Sequence, residues 1–218
     1  MNDKNIDQIL DWFACAGVSD VICERKTTEP HTEEAITSLE QLRNVIERID
    51  FPLKDCALNM VFGTGNTHAD ILLLGEAPGA EEDKQGIPFV GQSGQLLDKM
   101  LAAVGLDRTQ VYITNILPWR PPGNRTPSNQ EIDIFRPYVL KHISLVAPKV
   151  IVCLGGTATK ALLQTTQGIM QLRGKPTHIK EIDAVIIPTF HPAYLLRSPS
   201  QKREAWSDFL KIKQLVKK

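Results

Sequence analysis

The hydrophobic positions of this chain form short continuous runs that alternate with segments of helical spacing. Four runs are rich in aliphatic residues, as is typical of strands buried on both faces: 70–74, 111–116, 150–154 and 184–188. Apolar residues at helical spacing predict five helices: 36–49, 92–104, 129–146, 157–164 and 200–216. Parallel strands require long crossover connections. The alternation therefore predicts an α/β fold, a three-layer α/β/α sandwich around a central, mostly parallel four-stranded sheet.

The stretch 70–94 has the most informative pattern in the chain. Its apolar run ends at Gly75, and acidic side chains crowd the turn that follows: Glu76, Glu81, Glu82 and Asp83. A lone aromatic residue, Phe89, comes next, before the helix predicted over 92–104. Open α/β sheets bind ligands beyond the carboxyl ends of their strands. We therefore expect the chemistry of the protein to lie in this turn.

Two further predicted strands also end close to residues that can recognise a ligand. Asn115 stands near the end of one run, and His191 follows the last run. Each alone has a common structural explanation, because asparagine forms turns and a lone histidine is often structural. Together with Glu76 they gather an amide, an imidazole and a carboxylate at one sheet edge. With Phe89 as a flat stacking surface, this set suits a small planar polar ligand such as a nucleobase.

Basic residues flank these positions on the predicted rim of the site: Arg120, Arg125, Arg197, Lys202 and Arg203. Such side chains are suited to contact phosphate groups. The chain has 25 basic and 25 acidic residues and a formal net charge of zero. Nucleic-acid binding would therefore depend on this local patch rather than on the field of the whole protein.

Composition excludes several other classes of protein. No apolar run approaches the roughly 20 residues that a membrane span needs, and Met1–Asp11 is too charged for a signal peptide. We therefore expect a cytoplasmic protein that has no membrane partner. The four cysteines are Cys15, Cys23, Cys56 and Cys153. They include no CxxC pair, so neither a disulfide framework nor a zinc site is indicated.

The first 35 residues differ in pattern from the rest. Partial helical periodicity predicts a short helix over 6–16, and the charged, threonine-rich segment 24–34 predicts a flexible linker. We therefore divide the chain into an N-terminal helix and linker, 1–35, and one domain, 36–218. Thr37 or Ser38 is the expected N-cap of the first helix of that domain.

Three ordered segments resemble a known family: GEAPGAEEDKQGIPFVGQSGQLL, VYITNILPWRPPGNRTPSNQEI and HPAYLLR. They are similar to the uracil-DNA glycosylase superfamily, specifically its thermophile-type family 4, over about residues 40–216. The resemblance implies a base-excision repair enzyme that flips uracil out of DNA and hydrolyses its N-glycosidic bond, leaving an abasic site. It also implies single- or double-stranded uracil-containing DNA as the partner, and we expect a monomer.

The resemblance implies catalytic roles for three residues. Glu76, with Glu82 close by, matches the carboxylates on the side of the attacking water, and His191 matches the histidine that faces uracil O2. Ala77 stands where other branches of the superfamily carry a water-activating Asp or Asn. The division of labour among Glu76, Glu82 and Asp83 therefore stays open. An oxocarbenium-like sugar needs nearby negative charge, and the departing base needs a preorganised donor.

The remaining implied roles concern binding. Phe89 matches the aromatic residue that stacks on the base, and Asn115 matches the amide that favours uracil over cytosine. Gly75 joins them as a substrate-binding residue. Leu195 and Arg197 match the loop that enters the duplex. The residues assigned to DNA binding are Arg120, Arg125, Leu195 and Arg197.

One departure from the family concerns its [4Fe-4S] cluster, which four cysteines hold. The corresponding positions here are Arg48, Phe51, Trp119 and Phe135, and Cys56 is out of register. Because thiolates ligate such clusters, we predict no metal site and no cofactor. Three aromatic residues at these positions predict an apolar cluster of side chains instead.

Two alternatives to a uracil-DNA glycosylase remain. The first is a damage-binding protein that keeps the pocket but has lost turnover. The second is a glycosylase for another deaminated base. Glu76, Asn115 and His191 favour an enzyme, because a protein that only binds has no need of a charge-stabilising histidine.

Overall fold

The structure is a computed structural model that describes residues 36–216. The predicted helix over 6–16 and the predicted linker lie outside these residues. Among the described residues, no helix combines the length and apolar character that crossing a membrane requires.

A six-stranded sheet forms the centre of the domain, in the order β1-β3-β2-β4-β6-β5. The strands are β1 Thr64–Gly65, β2 Ile71–Gly75, β3 Val111–Asn115, β4 Val150–Leu154, β5 Thr177–Ile179 and β6 Ile182–Thr189. The four inner strands pair in parallel, and both edge strands are antiparallel to their neighbours. The predicted mostly parallel α/β sheet is therefore confirmed. The predicted count of four strands omitted the edges, which are too short to show a period in sequence.

Nine helices surround this sheet within the described residues. They are α1 Leu39–Glu47, α2 Pro52–Cys56, α3 Ala80–Gln85, α4 Gln92–Ala103, α5 Asn129–Val146, α6 Gly156–Leu163, α7 Ile169–Leu172, α8 Pro192–Arg197 and α9 Lys202–Val216. The five predicted helices are all present, with small shifts at their ends. The four that were not predicted, α2, α3, α7 and α8, have four to six residues each.

Polar side chains cap the starts of two of the long helices. Ser38, one of the two residues considered for the cap of α1, accepts a hydrogen bond from the amide of Gln41. Ser128 and Glu131 form a capping box at the start of α5, each accepting from the other's backbone amide. These caps satisfy amide groups that have no partner within the helix.

The hydrophobic core lies on both faces of the sheet. Leu72 and Leu74 of β2 pack with residues of α1 and α5, whereas Ile71 and Leu73 pack on the other face with residues of α4 and α9. All four leucine and isoleucine side chains are buried. This burial on both faces explains why the inner strands read as continuous apolar runs.

The parallel register brings the ends of the inner strands to one edge. Gly75 at the end of β2 pairs with Asn115 at the end of β3, and Leu154 of β4 pairs with Thr189 of β6. Each polar residue that follows an inner strand is therefore delivered to the same edge.

Candidate active site at the carboxyl edge of the sheet

A cavity of about 640 Å³ opens at this edge. Seven of the residues predicted for the site line it: Glu76, Glu82, Phe89, Asn115, Arg125, His191 and Arg197. Three other predicted residues, Gly75, Arg120 and Leu195, do not line it. The fold thus brings together predicted residues that are separated by more than a hundred positions along the chain.

Phe89 forms one wall of the cavity in an unusual backbone conformation. Its φ angle is 56°, in the left-handed region that bulky residues rarely adopt, and such strain costs of the order of 1–3 kcal/mol. The ring is 5% exposed, and its centroid lies 5.7 Å from that of the His191 ring. A Cβ added to Gly75 would stand only 2.7 Å from the Phe89 ring. The missing side chain of Gly75 therefore leaves the space that the aromatic wall needs.

The carboxylates of the acidic turn have different environments. Glu82 accepts hydrogen bonds on Oε1 from the amides of Val90 and Gly91, both at 2.9 Å, and so holds the loop after Phe89. Asp83 is 2% exposed and accepts from the amides of Leu58 and Asn59. Both carboxylates therefore hold loop backbone in place through these hydrogen bonds.

His191 is the N-cap of α8. Its Nδ1 accepts a hydrogen bond of 3.0 Å from the amide of Ala193. Burial, with the nearby positive charge of Arg197, lowers the pKa of His191 to about 4 from an ordinary value of 6.5, although the charge of Glu82 acts in the opposite direction. The ring is therefore neutral at pH 7. With Nδ1 acting as an acceptor, the ring hydrogen must be on Nε2.

Asn115 places an unsatisfied acceptor beside the cavity. The side chain is 7% exposed, and its Oδ1 is buried without a hydrogen-bond partner among the described residues. Buried polar atoms nearly always have partners, so an orphaned one at a cavity wall points to a ligand donor. A planar ligand that lies against Phe89 would bring its edge to this amide.

The basic residues of the rim are partly committed to contacts within the protein. Arg125 forms two hydrogen bonds to Glu131, at 2.6 and 2.8 Å, and this pairing is the largest cause that lowers the pKa of Glu131 to about 2. Arg120 donates to Asn124 at 2.7 Å and lies 3.9 Å from Asp83. Of the predicted arginines, Arg197 is the one that lines the cavity with an exposed side chain and no described ion pair.

The two adjacent leucines of α8 have opposite environments. Leu195 is 1% exposed and packs with Phe190 and Ala205 in a small core. Leu196 is 41% exposed and lines the cavity. The prediction that Leu195 enters the duplex does not suit its burial, because insertion would have to remove it from that core.

Sequence reasoning missed several residues at the site. Tyr194, Gln92 and Ser93 line the cavity, and Arg108 binds the turn of Phe89 from behind. Tyr194 lies inside the HPAYLLR segment, so the resemblance of that segment to the family could have identified it. Arg108 carried no such signal, because its partners are set by tertiary contacts.

The four positions that the resemblance matched to the family's cluster ligands have no thiol. Phe51, Trp119 and Phe135 are buried and contact one another, with ring centroids 4.9 Å apart for Phe51 and Phe135 and 5.7 Å apart for Trp119 and Phe135. Arg48 is the C-cap of α1. Within residues 36–216, no group of three or more His, Cys, Asp or Glu side chains could hold a metal ion. These residues do not fit an iron–sulfur cluster, which requires sulfur ligands.

Comparison with known proteins identifies the same family that the three sequence segments resemble. The family described as the uracil DNA glycosylase superfamily matches residues 62–210. A type-4 uracil-DNA glycosylase from Sulfurisphaera tokodaii is 39% identical, with 82% of this chain and 86% of the relative covered. Proteins of the same name from Archaeoglobus fulgidus and Thermotoga maritima are 38% and 41% identical, over 83% and 77% of this chain and 96% and 88% of their own lengths.

Proposed function

The chain belongs to the uracil-DNA glycosylase superfamily, as its three sequence segments predicted, and we propose that it removes uracil from DNA by hydrolysing the N-glycosidic bond. One observation carries this proposal. An aromatic wall, an unsatisfied amide oxygen and a neutral histidine with a free ring hydrogen surround one cavity large enough for a nucleobase. The product is an abasic site, the substrate for further repair.

Base recognition belongs to Phe89 and Asn115 in this proposal. The flipped base stacks on the ring of Phe89, and such stacking is worth about 1–3 kcal/mol per base. The amide of Asn115 accepts from the N3 hydrogen of uracil and donates to O4. Cytosine presents an acceptor at N3 and a donor at its exocyclic amine, so it mismatches both contacts.

The chemical step divides between His191 and Glu76. As the bond breaks, negative charge gathers on uracil O2, and the Nε2 hydrogen of neutral His191 donates to that oxygen. The sugar gains positive charge, which the carboxylate of Glu76 stabilises while it orients the attacking water. Glu76 is preferred over Glu82 and Asp83 because the latter two carboxylates accept hydrogen bonds from backbone amides.

The DNA contacts lie on α8. We assign the wedge that fills the vacated stack to Leu196, whose exposure supports the role better than the burial of Leu195. Arg197 follows it and is suited to contact a flanking phosphate. Leu196→Ala should weaken excision from duplex DNA and spare single strands, where no stack has to be opened. An equal loss on both substrates would contradict this role.

We also propose that the protein works without an iron–sulfur cluster, as a monomer acting on DNA in the cytoplasm at the nucleoid. The aromatic contacts of Phe51, Trp119 and Phe135 support the first point, because they fill the region with apolar side chains. Protein purified without oxygen should be colourless and contain no stoichiometric iron or sulfide. A visible absorbance shoulder with matching iron would contradict the proposal.

The deciding experiment is incubation with single- and double-stranded oligonucleotides that carry uracil, hypoxanthine or xanthine, followed by alkaline cleavage of abasic sites. We expect cleavage at uracil, and Glu76→Gln should abolish most of it. Binding to uracil DNA without cleavage would instead favour the damage-binding alternative. Preferential cleavage at hypoxanthine or xanthine would identify another deaminated base as the substrate.

A further inference from the structure

The turn that carries Phe89 is held from its outer side by Arg108, which lies in the loop before β3. The guanidinium donates to the carbonyl oxygen of Pro88 at 3.1 Å and also to the carbonyl oxygen of Phe89. Its Nε donates to Oδ1 of Asp98, on α4, at 2.7 Å. One planar group therefore joins two carbonyls of the turn to a helix.

Several contacts together fix this turn in a conformation that it would not adopt alone. A bulky residue at positive φ persists only where the surroundings over-determine it, and such positions concentrate at functional sites. Arg108 holds the carbonyls of Pro88 and Phe89, while Glu82 holds the amides of the next two residues. A Cβ at Gly94 would collide with the carbonyl oxygen of Phe89, so α4 can approach the turn because residue 94 is glycine.

We propose that Arg108 is a positioning residue for uracil, which fixes the turn so that the ring of Phe89 meets the flipped base. This inference rests on the proposed function. Arg108 does not line the cavity, so we expect its effect on excision to pass through the turn that carries Phe89. Lysine cannot replace it, because an ammonium group does not present coplanar donors to two carbonyls and a carboxylate.

The test is a double-mutant cycle on single-stranded uracil DNA, with kcat/KM measured for wild type, Arg108→Ala, Phe89→Ala and the double variant. The matched control is Arg136→Ala, because Arg136 also pairs with a carboxylate, Glu181 at 3.1 Å, and with a backbone carbonyl. Arg136 does not line the cavity. Thermal unfolding of every variant separates loss of stability from loss of positioning.

We expect Arg108→Ala to lower kcat/KM about tenfold, within the range that loss of base stacking produces. In the Phe89→Ala background the same substitution should change kcat/KM by less than about twofold, since residues that act through one another are not additive. Arg108→Lys should stay at least about fivefold below wild type, because the second carbonyl loses its donor. Arg136→Ala should match wild type.

Several outcomes would overturn the inference. Full activity of Arg108→Ala, or equal losses from this substitution with and without Phe89, would show that the contact has only a structural role. If Arg108→Ala fails to fold, Asp98→Ala provides the same test, because it frees the guanidinium from α4 and should lower kcat/KM about threefold. An active wild type with unaffected variants refutes this inference alone, whereas an inactive wild type refutes the proposed function and this inference with it.

Discussion

Replacing His191 by alanine is expected to slow uracil excision far more than it weakens DNA binding. The Nε2 hydrogen meets an oxygen whose charge grows as the bond breaks, so the contact is stronger in the transition state than in the ground state. Removal of one such donor costs roughly a hundredfold to a thousandfold in rate, or about 2.7–4 kcal/mol of barrier. The neutral ring needed for this contact follows from a pKa of about 4.

His191 also has a structural role that must be separated from its catalytic one. Its Nδ1 caps α8, and loss of an N-cap costs about 1 kcal/mol of stability. His191→Ser restores a good capping residue, yet a serine hydroxyl is too short to reach the base. The alanine and serine variants should therefore differ in thermal stability and share the loss of rate.

Single-turnover excision with enzyme in excess, at a temperature well below unfolding, measures the chemical step directly. Binding to the same oligonucleotide should stay within about threefold of wild type, because a contact made mainly in the transition state adds little to the affinity of the ground state. His178→Ala is the matched control, because His178 is exposed on the short edge strand β5. Excision by His191→Ala within a few-fold of wild type would refute the mechanism. Recovery of the wild-type rate by His191→Ser would show that His191 serves only as the N-cap of α8.

Three further outcomes are expected. Trp119→Ala should destabilise the protein by about 3–5 kcal/mol, the range for emptying a buried aromatic site. Trp206→Ala is the control and should change thermal unfolding little, because Trp206 is exposed. Equal shifts in the two variants would show that the aromatic cluster does not stabilise the protein. Asn115→Asp should lower uracil excision and allow cleavage at cytosine, because an acceptor replaces the amide donor. Asn129→Asp is the control, because Asn129 is exposed. Full uracil activity of Asn115→Asp would show that Asn115 does not recognise the base. Burial lowers the pKa of His142 to about 4 from 6.5, so the unfolded state binds more protons between these values and stability falls as the pH falls through this window, by about 2 kcal/mol at pH 5. Urea unfolding at pH 7.5 and pH 5 should therefore show a smaller pH dependence in His142→Phe than in wild type, and an unchanged dependence would exclude His142 as a source.

The sequence predicted those parts of the site that depend on topology. Asn115 ends β3 and His191 follows β6, and parallel pairing of inner strands brings such positions to one edge whatever the side chains around them. The sequence prediction named Leu195 for the duplex, whereas its neighbour Leu196 is the exposed leucine, since the orientation of a six-residue helix is decided by what it packs against.

The roles of Glu82 and Arg108 were hidden for a related reason. Both side chains bind backbone groups of the turn around Phe89, and hydrogen bonds to backbone leave no trace in residue types. The edge strand β5 has three residues and no period to detect. In each case the missing information lies in tertiary contacts rather than in local propensity.

Because Gly75 pairs with Asn115, the register between β2 and β3 sets the position of the Asn115 amide in the site. A slip of one residue would turn the amide of Asn115 to the opposite face of the sheet, because side chains alternate along a strand. Insertions in the loop before β3 leave this register intact, provided that they do not displace Arg108 from the turn of Phe89. A single-residue insertion inside β3 would separate the amide from Gly75 and Phe89. The length of β3, as much as any side chain, is therefore what the evolution of this pocket must keep.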